Sequence, residues 1–487
     1  MDKKLSPLDW LMPRYYMPLI YCFPSHNTGL RQRLYDGLFH LVGDVPVLLS
    51  DVVSREQPVG SVALSGPYRD VEDCFTWQDL TSELDYEAIR KDHFPLAVFN
   101  QYEMVPANTL KRPLPVPASV FLARLTLARG GAFLYVGLHH SVTDMVGLGT
   151  ITKLWAAHCY AQSSSDVSFD PGWLDRSVLC PPFSHMPLEK IRENIPRGLC
   201  YGDDTISATR AAAPRSLPQT VAVDGFTAAV FYFSPESLRQ MKEAAMYGIT
   251  LLPAVEEPWV STNDVLTALL WSAVVWAEDD DNFTSNTDDV SQMKFPVNIR
   301  SRWSPRLPDE YLGVAVIQAP VTSPREDLLS LSSGPLITHD TETRNGHILD
   351  LEKEKLLAKV SSSIRRALND IDVKDIRHAI AFTAAVPDVS KISERPRNAV
   401  KITSWADQGA CEAEWGDVIG RAEAVRFATF STKVRPIVLP KINSIEGGGL
   451  EVFLSLRTKE MARFGASALV ERFGCLRTSV SHECGKR

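Results

Sequence analysis

The stretch Ala132-Phe-Leu-Tyr-Val-Gly-Leu138 constrains this chain more than any other, because its length and its β-branched and aromatic content suit a buried strand. A second run, Val120-Phe-Leu-Ala-Arg-Leu-Thr-Leu127, precedes it, and Arg129-Gly130-Gly131 between them carries glycines able to take positive φ, which predicts a hairpin. A helix is predicted next, from Leu148, Ile151, Leu154 and Trp155 at helical spacing. Between strand and helix stand His139, His140 and Asp144. An imidazole at a strand end lies where the chain opens and reactive groups meet substrate, which makes His140 a candidate catalytic base.

Taken alone, the motif reads more readily as plain structure. A histidine beside a strand end is often a polar cap, and a His with an Asp four residues on is also a helical surface pair or half a metal site. Zinc needs three or four ligands, and no cysteine or further histidine lies at ligand spacing nearby, so no metal is expected.

With 487 residues, 45% of them hydrophobic, the chain exceeds what one core usually holds, which predicts two domains. The expected division is 1–205, a crossover at 206–221, and 222–487, with a segment near 385–425 available to be lent back to the first unit. A net charge of −8 and scattered Lys and Arg exclude a basic nucleic-acid face, so the expected partner is a small molecule. Eight cysteines without C-x-x-C pairs or regular spacing predict reduced thiols rather than a disulfide framework. Asp9, Pro13, Arg14 and Pro18 interrupt any signal-like apolar stretch, and the apolar run Val265 to Ala277 is too short to span a bilayer. A cytoplasmic monomer without membrane contact is expected.

Along the chain, Pro13 to Pro24 reads as an extended opening strand and Leu30 to Val42 as a helix. A new unit begins at Ala222, with Phe226, Val230, Tyr232 and Phe233 in a strand and Ser234-Pro-Glu236 opening a helix over Ser237 to Met246. Ser261-Thr-Asn-Asp264 opens a second, strongly apolar helix. Lys294 to Arg302 reads as a strand with a basic end, Ser323 to His347 as a polar connection, and Leu351 to Asn369 as an amphipathic helix. Gly447 to Leu456 reads as a strand after a glycine turn, with a final helix from Lys459. The alternation suits an α/β architecture with two mixed sheets.

The motif His139 to Asp144, with Thr403-Ser-Trp405, Glu414-Trp-Gly416, Asp175-Arg-Ser-Val-Leu179, Ser261-Thr-Asn-Asp264, Val297 to Arg302, Tyr311-Leu-Gly313 and Gly447 to Val452, resembles the BAHD acyl-CoA-dependent acyltransferases. The resemblance spans nearly the whole chain and points to their fungal branch, which includes the trichothecene acetyltransferases. It implies two chloramphenicol-acetyltransferase-like domains, each a mixed sheet with flanking helices, and an active-site channel at their interface. It implies no permanently bound cofactor, acyl-CoA (acetyl-CoA foremost) as co-substrate, and an alcohol or amine acceptor from secondary metabolism. Two segments depart from the family pattern: Glu414 to Ala422, where the family has an Asp-Phe-Gly-Trp-Gly segment that is structural and remote from the reacting atoms, and Val314, where an asparagine near the expected channel is usual.

Acyl transfer needs a base for the nucleophile's proton and a donor for the developing oxyanion. His140 suits the first task. His139, its neighbour on a strand, faces the other way and reads as packing. The resemblance implies that Asp144 turns from the substrate to pair with an arginine, and Arg300 is the expected partner; a triad role for Asp144 stays open. It also implies that Thr403 and Trp405 face the reaction centre, where a hydroxyl or indole N–H can donate to the oxyanion; without it Trp405 is an ordinary core aromatic. Ser261 and Thr262 at a helix N-terminus, and more weakly Arg300, are candidate CoA contacts, since helix N-termini attract phosphate. Three rival readings remain: an N-acyltransferase, a condensation-type enzyme fed by a carrier-bound thioester, and a non-catalytic homologue.

Overall fold

A computed structural model describes residues 4–25, 28–110, 113–161, 166–181, 187–202, 225–253, 257–279, 290–334, 349–394, 399–427, 432–442 and 447–482. The N-terminal half builds β1 (Tyr16–Phe23), β2 (Phe75–Asp79), β3 (Phe121–Ala128) and β4 (Gly131–His139), with helices α1 (Leu30–Asp44) and α2 (Met145–Tyr160). Strands β3 and β4 form the hairpin, pairing Ala128 with Gly131 across a turn in which Gly130 takes φ +83°. β4 is the middle strand of a five-stranded sheet ordered Ala424–Phe427, β1, β4, β3, β2. All residues of β1 and β4 are buried, because both faces of the sheet are covered. One face packs Leu134 and Val136 against Leu34 and Leu38 of α1 and Leu148 and Trp155 of α2. The other packs Ile20, Phe133 and Tyr135 against Ala228, Val230 and Phe453 from the C-terminal half.

That half supplies β5 (Phe226–Phe233), β6 (Val290–Asn298), β7 (Val316–Pro324), β8 (Val400–Lys401), β9 (Thr403–Ser404), β10 (Val434–Val438), β11 (Leu450–Arg457) and β12 (Gly474–His482). A second five-stranded sheet runs β9, β10, β11, β5, β12. Its pleat divides the side chains. Ala228 and Val230 meet the first sheet, whereas Ala229, Phe231 and Phe233 face a core formed with helices α3 (Pro235–Thr250), α4 (Thr262–Glu278) and α5 (Leu351–Asn369). A three-stranded sheet, β7, β6, β8, continues directly into β9, since only Ile402 separates Lys401 from Thr403. Two smaller sheets complete the described residues, so the two large sheets expected from the alternation are joined by three small ones.

The strand Ala424–Phe427 crosses back to pair with β1, Leu19 opposite Phe427. From it Arg426 donates to Glu451 of β11 at 2.6 Å, and each side chain is 1% exposed. This buried pair ties one large sheet to the other. Removing one partner of such a pair is costly, because the remaining charge has no water to turn to.

Two sequence expectations change. The connection expected over Ser323 to His347 begins inside β7 and holds a helix, Arg325–Ser332, whose Leu328 and Leu331 are buried; residues 335–348 lie outside the described residues. The helix Thr458–Gly465 is not the last element, because a helix at Ala468–Phe473 and then β12 follow. β12 pairs along β5 with a bulge between Leu476 and Thr478, which breaks the alternation that would have signalled a strand. The crossover expected at 206–221 lies outside the described residues. No helix among the described residues is long and apolar enough to cross a membrane, and no disulfide joins the seven described cysteines.

Candidate active site

β4 delivers two histidines to opposite sides of its end. His139 is buried, accepts from the Ser141 N–H at 3.2 Å through Nδ1, and packs edge-on to Tyr16. Burial, followed by Arg14 and His140, pushes its pKa down to about 3, so it is a neutral packing residue. His140 is held by its own N–H, which donates to the Tyr15 carbonyl at 2.9 Å, and by the Tyr15 ring 5.6 Å away. Its Nδ1 lies 3.1 Å from the Thr143 carbonyl oxygen. A carbonyl only accepts, so Nδ1 carries the proton and Nε2 is left as the basic nitrogen. Burial lowers the His140 pKa; the Thr143 bond works against this, and Lys401 adds to it.

Asp144 closes the turn. Its Oδ1 caps α2 by accepting from the Gly147 N–H at 3.0 Å, and Oδ2 accepts from the Ala315 N–H at 2.9 Å. Arg300 donates to both oxygens at 2.9 Å in a two-pronged pair, with Asp144 2% and Arg300 1% exposed. Burial favours protonation of Asp144, but Arg300 and the backbone donors outweigh it and hold the pKa below the usual carboxylate value. Arg300 also donates to the carbonyls of Tyr311 and Gly313. Its terminal nitrogens are therefore committed inside the protein, and the weak expectation of a CoA contact is corrected on that ground.

A second lock lies beside the first. Buried Arg176 donates to the Val142 carbonyl at 2.9 Å, inside the histidine turn, and its Nε stands 3.5 Å from Asp9. Asp9 is fully buried and accepts from Val314 N–H and from Ser6. Sequence reasoning quoted Arg176 without a role and missed Asp9. The signal existed: Ser6-x-x-Asp9 is a capping-box pattern, and a capping box forms there.

The His140 imidazole lines a cavity of about 440 Å³ where three sheets meet. Tyr15, Met17 and Phe427 come from the first sheet or its flank, Asn298, Val316, Gln318 and Lys401 from the three-stranded sheet, and Thr403, Trp405 and Ile437 from the second. Thr403 and Trp405 thus share a cavity with His140. Trp405 packs its ring 5.6 Å from Phe427 and donates its backbone N–H to Val438. Ser261 and Thr262 are not among the cavity's lining residues. Ser261 caps α4, and the Asp264 carboxylate accepts from the Ser261 N–H and hydroxyl and from Arg365. That helix N-terminus already holds an anion, which removes the reason for a phosphate there. Among the described residues no cluster of three His, Cys, Asp or Glu is placed to hold a metal.

Comparison with known proteins decides the family. The model of the transferase family matches residues 101–469, and that of the trichothecene 3-O-acetyltransferase-like N-terminal domain matches residues 16–159. The chain belongs to the BAHD transferase family. It is 25% identical over 463 residues to the O-acetyltransferase astG of Aspergillus oryzae, covering 87% of this chain and 91% of that one. It is 24% identical to the trichothecene 3-O-acetyltransferase of Fusarium sporotrichioides, covering 91% and 89%. The solved structure of that Fusarium enzyme with coenzyme A and T-2 superposes with a TM-score of 0.73 at 20% identity, covering 98% of this chain and all of that one. Vinorine synthase superposes at 0.60 and 15% identity, covering 98% and 95%. The protein is therefore a BAHD acyltransferase with the mixed α/β fold of that family.

Both departures from the BAHD pattern lie away from the cavity. Trp415 is fully buried, with Trp155 at 5.5 Å and Phe23 at 5.5 Å, in the core behind the first sheet. Glu414 and Arg421 close the altered loop with an exposed ion pair at 2.6 Å. Val314 is buried with Tyr311 and Ile299 and does not line the cavity. Trp415→Phe is expected to lower unfolding free energy by about 1–3 kcal/mol in denaturant titration, with the KM for acyl donor unchanged. A changed KM with unchanged stability contradicts a structural role.

Proposed function

We propose that this protein transfers an acyl group, acetyl foremost, from coenzyme A to a hydroxyl of a secondary metabolite, with His140 as general base in a ternary complex. The observation that carries this reading is the His140 imidazole, with Nδ1 turned to the Thr143 carbonyl, lining one cavity with Thr403 and Trp405. Nε2 takes the hydroxyl proton as oxygen attacks the thioester carbonyl, and the new C–O bond gives a tetrahedral oxyanion. The Thr403 hydroxyl and Trp405 indole N–H are the donors for that charge. Collapse breaks the C–S bond, and the imidazolium returns its proton to the thiolate. Asp144, turned to Arg300, takes no proton; it positions the turn that aims His140. Fungal relatives named as O-acetyltransferases support the alcohol acceptor, and the Fusarium structure with coenzyme A supports the donor. The units proposed are 1–205 and 222–487, joined by a crossover at 206–221, with a segment near 385–425 lent to the first; the pairing of Ala424–Phe427, at the end of that segment, with β1 supports the loan.

The test is to incubate the purified protein with acetyl-, malonyl- and longer acyl-CoAs and a panel of terpenoid and alkaloid alcohols, and to follow free CoA. Release that requires an alcohol supports the reading; release from no combination rejects it. Because burial holds the His140 pKa below its usual 6.5, the neutral base is already the majority form at pH 6.5. The acidic limb of kcat/KM is therefore expected below pH 6.5, with rate rising as pH increases through it. A limb centred above 6.5 contradicts His140 as the base.

A further inference from the structure

The turn that carries His140 is gripped from outside by three arginines. Arg14 donates to the Ser141 hydroxyl at 2.5 Å, Arg176 to the Val142 carbonyl at 2.9 Å, and Arg300 to the Asp144 carboxylate at 2.9 Å. The Thr143 carbonyl, which accepts from His140 Nδ1, lies between the last two grips. Holding the groups on either side sets the direction of that carbonyl, because a peptide unit is planar and turns only as a whole. The carbonyl in turn decides which imidazole nitrogen carries the proton.

The Arg300 grip has its own carboxylate, Asp144, inside the turn. The Arg176 grip depends on a residue far away in the chain, Asp9, whose carboxylate stands 3.5 Å from Arg176 Nε. Asp9 accepts from the Val314 N–H at 2.9 Å, from the Ser6 N–H at 2.7 Å and from the Ser6 hydroxyl at 2.8 Å. Burial pushes the Asp9 pKa up, against the pull of Arg176 and these donors. Oxygens met by three donors suit the ionised carboxylate, which also keeps the buried guanidinium paired.

The two buried pairs share one more element, the segment from Tyr311 to Ala315. Asp9 takes the Val314 N–H and Asp144 the Ala315 N–H, while Arg300 takes the carbonyls of Tyr311 and Gly313 and Arg176 that of Leu312. The segment leads straight into β7, whose first residue, Val316, lines the His140 cavity. A displacement of Asp9 therefore moves the turn that aims the base and a wall of the cavity together. Neither Asp9 nor Arg176 lines that cavity, so any effect of theirs on the reaction passes through the turn.

We infer that Asp9 is a positioning residue for acyl transfer: through Arg176 it fixes the Thr143 carbonyl that keeps the His140 proton on Nδ1 and leaves Nε2 as the base. The inference rests on the reading of His140 as general base, and its test includes a measurement that needs no turnover.

The experiment compares the wild-type protein with Asp9→Asn, which removes the charge that holds Arg176, and with Arg176→Lys, which keeps a cation beside Asp9 but lacks the fork that reaches Val142 and Leu312. Trp415→Phe, a core substitution away from the cavity, is the control for lost stability. Two quantities are read: steady-state CoA release with acetyl-CoA and an alcohol that supports it, and the NMR resonances of the His140 ring nitrogens at about pH 8, where the ring is neutral, assigned by their loss in His140→Ala. Wild type is expected to carry the proton on Nδ1 alone. Asp9→Asn and Arg176→Lys are each expected to show a mixture of the two tautomers and a kcat lowered about ten- to a hundredfold, with the KM values for acetyl-CoA and alcohol within about twofold of wild type. Trp415→Phe is expected to leave kcat and tautomer as they are. A kcat within about twofold of wild type in both variants, a loss confined to KM, a lower kcat with the proton still on Nδ1 alone, the same tautomer change in Trp415→Phe, or failure of both variants to fold overturns the positioning role. The two claims fail separately. Wild-type turnover with unchanged tautomers in both variants sinks the positioning role alone; a tautomer change in the variants, with no alcohol releasing CoA from the wild type, sinks the transfer reading and leaves Asp9 as the residue that orients His140.

Discussion

Replacing His140 by alanine is expected to lower turnover by about 10²- to 10⁴-fold while the fold persists. The side chain makes one hydrogen bond to the protein, from Nδ1 to the Thr143 carbonyl, whose loss costs only about 1 kcal/mol. The strand end itself is held by backbone bonds, His140 N–H to Tyr15 and His139 N–H to Val120, which alanine keeps. The large loss is therefore expected in the rate of CoA release at saturating substrates, with the melting temperature nearly unchanged. Turnover within a few-fold of wild type would falsify the assignment of the base.

The second large effect concerns Asp144 and Arg300. Either single replacement, Asp144→Asn or Arg300→Gln, leaves a buried charge facing a neutral group, and each is expected to cost about 3–5 kcal/mol of unfolding free energy. The double variant is expected to cost little more than the worse single, because the two side chains act as one unit. Activity follows the same pattern, since the pair fixes the turn from His140 to α2. Losses that simply add in denaturant titrations contradict the pairing. The pair also predicts an acid limit. The Asp144 pKa is lowered in the folded protein, so its contribution is fully present above the unfolded carboxyl value near pH 4 and is lost as pH falls through the lower folded value.

The elements legible in the sequence were those whose pattern is local. The apolar run before His139 is a fully buried central strand, and the periodicity of Leu351 to Asn369 gives a helix with those bounds. Ser234 and Ser261 both cap helices, as Ser234-Pro-Glu236 and Ser261-Thr-Asn-Asp264 predicted. What stayed hidden depends on partners distant in the chain. Ala424–Phe427 is four residues long with an arginine inside, and only its pairing with β1 and the Arg426–Glu451 pair make it a core strand. Gln318 and Lys401 line the cavity, and the sequence carried no sign of it, because one sequence does not distinguish a face turned to water from one turned to a cavity. For the site, the family resemblance supplied Thr403 and Trp405, which periodicity alone leaves as an ordinary strand end and a core aromatic. The expectation of CoA at Ser261 and Thr262 came instead from the attraction of a helix N-terminus for phosphate, and there the Asp264 carboxylate already accepts from Ser261.

The most direct measurement of the central claim is a crystal structure of the protein with coenzyme A. The account predicts the CoA sulfur inside the cavity lined by His140, Thr403 and Trp405, within about 3–4 Å of where an acceptor oxygen can also reach His140 Nε2. Coenzyme A bound elsewhere, with its sulfur out of reach of His140, contradicts it.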